Sequence, residues 1–140
     1  MRRNLAGWCA LLLAAGCSTG AGGGTGGADN GAVCKAYSAA QSHVEVLVDG
    51  KVARLLGSRP GVRSPHEGFI LRIGSPCSMT IRVESNEDFT GPIPLHDGEA
   101  ITVRGEYEYY ARGGVIHWTH RDPRGRHPGG FVQADGRLYQ

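Results

Sequence analysis

The sequence has little excess charge of either sign. Its 15 lysines and arginines nearly balance 13 aspartates and glutamates. Arg2 and Arg3 lie in an N-terminal segment that we expect to be removed, and the 13 basic residues left after it equal the 13 acidic ones. Binding to nucleic acid regardless of sequence needs clustered lysines and arginines that neutralise phosphates. The charge balance therefore argues against nucleic acid as a partner.

The sequence also lacks the apolar run of about 20 residues that a membrane-spanning helix needs. The run from Leu5 to Ala15 is shorter, follows two arginines and has the form of a secretory signal. The stretch Ala14-Ala15-Gly16-Cys17 resembles the lipobox of bacterial lipoproteins. That resemblance implies a signal peptide at 1–16 and a lipid, such as palmitate, on Cys17. Ser18 in place of aspartate implies the periplasmic face of the outer membrane. The alternative is an ordinary signal peptide with an incidental cysteine.

Large apolar side chains are absent from residues 18–31, which are rich in glycine. Such a segment buries nothing that could offset the entropy of ordering it. We therefore predict a tether at 17–31 that holds a domain away from a membrane. Residues 32–140 are enough for a single domain with one core.

Cysteine is scarce as well, with four in the chain. Cys9 leaves with the signal and Cys17 is the expected lipid site, so Cys34 and Cys77 remain. Two cysteines this far apart do not resemble a zinc knuckle. Disulfides persist in the oxidising compartment that the signal indicates. A Cys34–Cys77 bridge and two free thiols are the two outcomes that the sequence leaves open.

Alternation of apolar and polar residues predicts an all-β domain. The parity of Val44 to Val52 passes unbroken through Asp49-Gly50, which favours one long strand bent or bulged at Gly50 over a hairpin. Five strands in this order look like a small Greek-key barrel of the OB type, with a β-sandwich as the alternative. The helix usual between strands three and four would be reduced to the connection Glu84–Leu95. The other predicted elements are a helix at Val33–Gln41, a loop at Ser58–His66, strands at Phe69–Ile73, Met79–Val83, Ile101–Tyr109 and Val115–Thr119, and a last hairpin of Phe131–Gln133 with Arg137–Tyr139.

Three stretches resemble a family of bacterial secreted proteins known as a domain of unknown function. They are His66–Leu71, Gly105–Glu108 and Gly113–His120, the last followed by Asp122-Pro123. The hallmark of that family is a Gly-Glu-Tyr-Glu strand followed by His-Trp-Thr-His-His-Asp-Pro. The resemblance spans His43–Gln140 and implies no known activity. The chain departs from the family pattern at Glu67, at Glu84-Ser85-Asn86, at Tyr109, at Arg121, where a third histidine is usual, and at Phe131.

Histidine is also rare, but three of the six histidines lie between residues 117 and 127. Imidazole and carboxylate groups suit zinc and similar ions, and a neutral imidazole can act as a general base. On a strand, His117 and His120 would point to opposite faces, so they reach one site only if the strand ends near Thr119. The metal hypothesis uses His117, His120 and Asp122 as ligands of a divalent ion. His127 and His66 join these three as catalytic or ligand-binding candidates of a metal-dependent, hydrolytic enzyme.

A structural role is the plainer hypothesis for the same residues. His117 would pair with Glu106 or Glu108 on the neighbouring strand, Trp118 would pack the core with Ile116, and Asp122 would accept backbone hydrogen bonds.

A binding face is the third hypothesis. Stacking surfaces from Trp118 and three tyrosines would have arginine partners across the barrel. We therefore predict a lipid-anchored envelope module that binds or structures a protein, glycan or small-molecule ligand, with the metal-dependent enzyme as the alternative. The tyrosines of that face are Tyr107, Tyr109 and Tyr110, and its arginines are Arg72, Arg82 and Arg104.

Overall fold

A computed structural model describes residues 27–140. The predicted signal peptide, Cys17 and most of the predicted tether lie outside the described residues. No helix within 27–140 is long and apolar enough to cross a membrane. The elements are α1 (Asn30–Ser38), β1 (Val44–Arg59), β2 (His66–Ile73), β3 (Met79–Asn86), α2 (Glu87–Thr90), β4 (Ala100–Glu108), β5 (Val115–His117), β6 (Phe131–Ala134) and β7 (Arg137–Tyr139).

Five strands close into a barrel in the order β1-β2-β3-β5-β4, with β4 pairing back onto β1. All of these pairs are antiparallel except β3–β5, which is parallel. The hairpin of β6 and β7 extends the sheet beside β4. This confirms the prediction of a small OB-like Greek-key barrel with a short N-terminal helix and a C-terminal hairpin.

The 16-residue strand β1 closes the barrel because its two halves have different partners. Val44–Lys51 pairs with β4 and Lys51–Arg59 pairs with β2, so Lys51 faces both Ala100 and Arg72. A Cβ on Gly50 would lie 2.6 Å from the carbonyl oxygen of Arg72, which explains glycine at this crossing. The predicted long strand is therefore present. Its register shifts fall after Gly50, between Val52 and Arg54 and between Leu55 and Gly57.

The core fills the barrel with the inward-facing residues of its five strands. Burial alternates along β4, where Ile101, Val103, Gly105 and Tyr107 point inward. Apolar side chains with this period of two are what one buried sheet face requires. The largest of the fully buried side chains are Tyr107, Phe69, Leu71, Ile73, Ile81 and Ile116.

Helix α1 covers one end of the barrel. Asp29 caps it by accepting a hydrogen bond from Gly31 N–H, so the helix begins at Asn30 and not at the predicted Val33. Residues 29–31, which were predicted to belong to the tether, are therefore part of the fold. A disulfide joins Cys34 of the helix to Cys77 in the β2–β3 turn, and the Tyr37 hydroxyl donates to Ala111 O in the β4–β5 loop.

The opposite end of the barrel carries only a short helix. Strand β3 runs two residues further than Glu84, and α2 then makes one turn, with Asn86 accepting from Asp88 N–H at its start. The predicted connection Glu84–Leu95 thus begins as strand and continues as a single helical turn. Because α2 is so short, this end of the barrel is left open to loops that surround a cleft.

Candidate functional site

The strand β5 ends at His117 because Trp118 adopts φ +56. This left-handed backbone is uncommon for a bulky residue, and it breaks the alternation expected through Thr119. Trp118 turns outward with 38% of its surface exposed, whereas Thr119 and His120 turn inward. The Thr119 hydroxyl donates to Glu84 O across the barrel end. The prediction that Trp118 packs the core is therefore wrong, while Ile116 does so.

A cleft of about 770 Å³ lies at the open end of the barrel. Its walls come from the β1–β2 loop, from the end of β3 with α2, and from β5 with the loop that follows. This brings His117, His120 and Asp122 to one cavity with His66, which lies far from them in sequence. The lining residues are Arg63, Ser64, His66, Glu84, Asn86, Asp88, Phe89, His117, Trp118, His120, Asp122, Pro123, Arg124 and Arg126.

Aromatic rings form two stacked pairs at the cleft. Phe89 lies on His120 with ring centroids 4.2 Å apart and planes 8° from parallel. Trp118 lies on His127 at 4.6 Å and 15°. His120 is buried, and its Nδ1 donates to Arg121 O at 2.8 Å. The stacking and this hydrogen bond fix both exposed rings, Phe89 and Trp118, as flat surfaces facing solvent.

Three arginines and three carboxylates line the cleft, and two of the carboxylates, Glu84 and Asp122, have partners within the protein. Glu84 is paired with Arg59 and Arg82. Asp122 uses its carboxylate on backbone N–H groups of Arg124, Arg126 and His127.

The rim arginines of the cleft are Arg63, Arg124 and Arg126. They are exposed, and the ion pairs found for arginines between residues 27 and 140 both go to Glu84. Unpaired guanidinium groups at a rim suit a carboxylate or phosphate.

Asp122 orders the loop after β5 through hydrogen bonds that its carboxylate accepts from three backbone N–H groups. The hydrogen bond from Arg124 N–H is the largest cause that lowers the pKa of Asp122, and those from Arg126 and His127 add to it. This is the backbone role that the structural hypothesis gave it.

A second group of polar side chains lies on the outer face of the barrel, beside the cleft. Glu45 on β1, Glu106 on β4 and His117 on β5 stand directly opposite one another across the strands. Glu108 follows on the same face of β4. We call this group, completed by His43 and His127, the His–Glu cluster.

Glu106 is the centre of the His–Glu cluster. Its Oε1 lies 3.3 Å from His43 Nδ1 and 3.3 Å from His117 Nε2. Its Oε2 lies 3.2 Å from His127 Nε2. Glu108 Oε1 lies 2.9 Å from His43 Nδ1 and 3.7 Å from His117 Nε2. The cross-strand pairing of His117 with both glutamates agrees with the structural hypothesis.

His127 forms hydrogen bonds through both ring nitrogens. Its Nδ1 lies 2.8 Å from Pro128 O, and its Nε2 faces Glu106 Oε2. Burial lowers the pKa of His127, but these bonds and the charges of Glu45 and Glu106 outweigh it, so the pKa is raised. Burial alone would raise the pKa of Glu106, but hydrogen bonds from His127 and His43 outweigh this effect, so the pKa of Glu106 is lowered. Burial raises the pKa of Glu45.

The ligand atoms that come together are not those of the predicted metal set. Between residues 27 and 140, the groups with ligand atoms within 4.8 Å of one another are His43–Glu106–Glu108 and Glu45–Glu106–His127. The predicted set of His117, His120 and Asp122 is not among them.

The predicted stacking face also needs correction. Tyr107 is 0% exposed, and its hydroxyl donates to Gly113 O inside the barrel, so it cannot stack on a ligand. Arg82 is held by Glu84. Trp118 and Tyr110 do expose their rings, and Trp118 alone of the two lines the cleft.

Comparison with known families decides the relationship of this chain. Residues 22–140 match the family described as Protein of unknown function (DUF3465). The chain belongs to this family. It matches no curated protein and no solved structure.

In the His–Glu cluster of this DUF3465 member, sequence reasoning missed His43 and Glu45, which enter it only through strand register. In the cleft it missed Phe89 and the rim arginines, since no local motif marks them. The outward parity of Glu106 and Glu108 on β4 was visible in the sequence. The register that sets Glu45 opposite Glu106 was not, because the two glutamates are more than 50 positions apart in sequence and two other strands lie between β1 and β4.

Proposed function

We propose that this protein is a lipid-anchored envelope protein whose barrel binds an anionic glycan in the cleft at its open end. The observation that carries the proposal is the combination of exposed aromatic rings and unpaired arginines around one cavity. Its volume of about 770 Å³ lies within the roughly 300–1,000 Å³ usual for ligand sites.

The aromatic rings favour a sugar ligand. Phe89 and Trp118 are 44% and 38% exposed, and each is backed by a stacked histidine. Rigid flat rings offer apolar area at a low entropic cost, which suits the apolar face of a pyranose. Loops of OB barrels are used for oligosaccharides as well as oligonucleotides. The near balance of charge over the whole chain argues against oligonucleotides.

The arginines favour a ligand with negative groups. Arg63 approaches from one side of the cleft, and Arg124 and Arg126 lie on the loop after β5. Guanidinium groups bind carboxylate and phosphate through two parallel hydrogen bonds. A uronic acid or phosphate-bearing sugar therefore matches both the rim and the rings.

Binding of the intact protein to arrayed charged and neutral oligosaccharides tests the proposal. We expect binding to a charged glycan that Trp118→Ala weakens at least tenfold, since truncation of a central aromatic anchor costs about 2 kcal/mol or more. Arg124→Ala with Arg126→Ala should weaken it further and reduce its dependence on salt.

The matched controls are Tyr110→Ala, an exposed ring outside the cleft, and Arg54→Ala, an exposed arginine on β1. Neither should change binding. Equal losses in Trp118→Ala and Tyr110→Ala would refute the assignment of the cleft, and binding only to proteins or to neutral sugars would refute the ligand class.

A metal-dependent hydrolase is the second candidate function. The observation in its favour is that His117 belongs both to the cleft and to the His–Glu cluster. Cleavage of a bound glycan or ester that EDTA abolishes, and that returns with added metal, would support it over simple binding.

A further inference from the structure

We propose that the His–Glu cluster is a divalent transition-metal site in which His43, Glu106 and Glu108 supply three ligands and His117 the fourth. The site is on the outer face of the barrel and goes beyond the proposed binding function. It differs from the set of His117, His120 and Asp122 that the sequence predicted.

The first argument is the density of negative charge. Glu45 and Glu106 stand directly opposite each other on adjacent antiparallel strands, and like charges in that position are destabilising. Glu108 adds a third carboxylate on the same face. Among the described residues, the groups at ion-pair distance from these three are all histidines, His43, His117 and His127, since both arginine pairs go to Glu84. A bound divalent cation would offset more of this repulsion than neutral imidazoles do.

The second argument is the spacing of the ligand atoms. Nitrogen and oxygen ligands lie about 2.1 Å from zinc, so two of them in a tetrahedral shell are about 3.4 Å apart. The four contacts between the two imidazoles and the two carboxylates measure 2.9, 3.3, 3.3 and 3.7 Å. The atoms of His43, Glu106 and Glu108 lie within 4.8 Å of one another, whereas His117 Nε2 is close to the two carboxylates but outside this group, so His117 would have to shift toward His43 to complete the shell.

The third argument is an unsatisfied nitrogen. Among the buried side-chain nitrogen and oxygen atoms of residues 27–140, His117 Nε2 is the one without a hydrogen-bond partner, although Glu106 and Glu108 oxygens are near. Buried polar atoms without a partner are rare and costly. A metal ion would accept the lone pair of this nitrogen. Two imidazoles with two carboxylates is a donor set that suits zinc and related ions.

The neighbouring group of Glu45, Glu106 and His127 is not the site. His127 has hydrogen bonds at both ring nitrogens, to Pro128 O and Glu106 Oε2, whereas His43 has one at Nδ1, so a metal ion would displace fewer bonds at His43. His127 lies behind Glu106: it binds Glu106 Oε2 and thereby orients Oε1 toward the metal. Outer groups of this kind tune metal affinity by roughly 10–100-fold.

The remaining side of the site is open. The side chain of His43 is 76% exposed and its backbone is in the left-handed region at φ +61. A metal there can be loaded from solvent without unfolding the barrel. His117 also lines the cleft, so the ion would lie next to a bound ligand.

Zinc titration of the intact, EDTA-treated protein against a chromophoric chelator tests the site. We expect one Zn²⁺ per chain and a rise in melting temperature that depends on zinc. His43→Ala and Glu108→Gln should each weaken binding at least tenfold. His127→Gln should weaken it by a smaller factor because it acts through Glu106.

His96 provides a matched control. Its side chain is also 76% exposed, and its Nδ1 lies 3.0 Å from Glu99, much as His43 lies 2.9 Å from Glu108. His96→Ala should bind zinc like the wild type. Absence of stoichiometric zinc binding, or equal losses in His43→Ala and His96→Ala, would overturn the proposal. So would zinc binding that survives His43→Ala and disappears in His120→Ala.

Discussion

Removal of the Cys34–Cys77 disulfide should destabilise the domain substantially and leave its fold in place. The two residues are 43 positions apart in sequence. In the chain-entropy treatment, closing a loop of this length costs the unfolded state about 13 cal/mol/K, or roughly 4 kcal/mol at 25 °C. This is an upper value, because residual structure in the unfolded chain and native strain both reduce it.

Helix α1 should stay docked without the bridge. Val33 and Ala36 are buried against the barrel. Tyr37 still donates to Ala111 O, and Asp29 N–H still donates to Leu47 O. The double variant Cys34→Ala/Cys77→Ala should therefore keep the circular dichroism of the native barrel while its unfolding midpoint in urea falls.

Urea unfolding of three samples measures the effect: oxidised wild type, reduced wild type and the double variant. The reduced protein and the double variant should agree with each other and lie about 2–4 kcal/mol below the oxidised protein. Mass spectrometry of unreduced peptides checks that the bond is present in the oxidised sample. A difference under about 0.5 kcal/mol, with the bond shown to be present, would refute the loop-closure reasoning.

Two further predictions concern the anchor and the core. Cys17→Ser should release the secreted protein from membranes, as fractionation with alkaline washing would show; a variant as tightly bound as wild type would contradict the lipoprotein reading. Burial raises the pKa of Tyr107 to about 12, so the stability that its neutral form contributes is complete below pH 10, the usual value in unfolded chains, and is lost as the pH rises through 12. Tyr107→Phe should lower the free energy of unfolding by about 1 kcal/mol at pH 7, because the hydrogen bond to Gly113 O is lost. Between pH 10 and 12, urea unfolding should show a smaller decline in stability for this variant than for the wild type; parallel curves for the two proteins would contradict this.

The barrel could be predicted from sequence because the patterns that specify its strands each lie within a short stretch of residues. Alternation defined β2, β3 and β4, and the unbroken parity through Gly50 distinguished one long strand from a hairpin. The order of these elements then matched one known topology. The helix boundaries were less accurate, since the cap at Asp29 and the single turn after Asn86 depend on side-chain hydrogen bonds that the apolar pattern does not encode.

The candidate sites were only partly predictable because they depend on tertiary contacts. The end of β5 at Trp118 follows from a positive φ that the sequence Ile-His-Trp-Thr does not announce. Gly130 packs closely against the carbonyl oxygens of Trp118 and Arg104, where a Cβ would clash, so position 130 must be glycine. Likewise, the His–Glu cluster exists because register aligns β1, β4 and β5, and no local motif specifies that register.

The covered and open ends of the barrel give the molecule a direction. The β2–β3 turn, bonded to α1, and the cleft residues His66 and Asn86 lie at opposite ends of the same hairpin. With eight residues in β2, these ends are roughly 26 Å apart. The described chain enters the fold at the covered end, where Asp29 N–H donates to Leu47 O and helix α1 begins. An anchor on the predicted lipid site would therefore be joined to the end opposite the cleft, and the cleft would face away from the point of attachment.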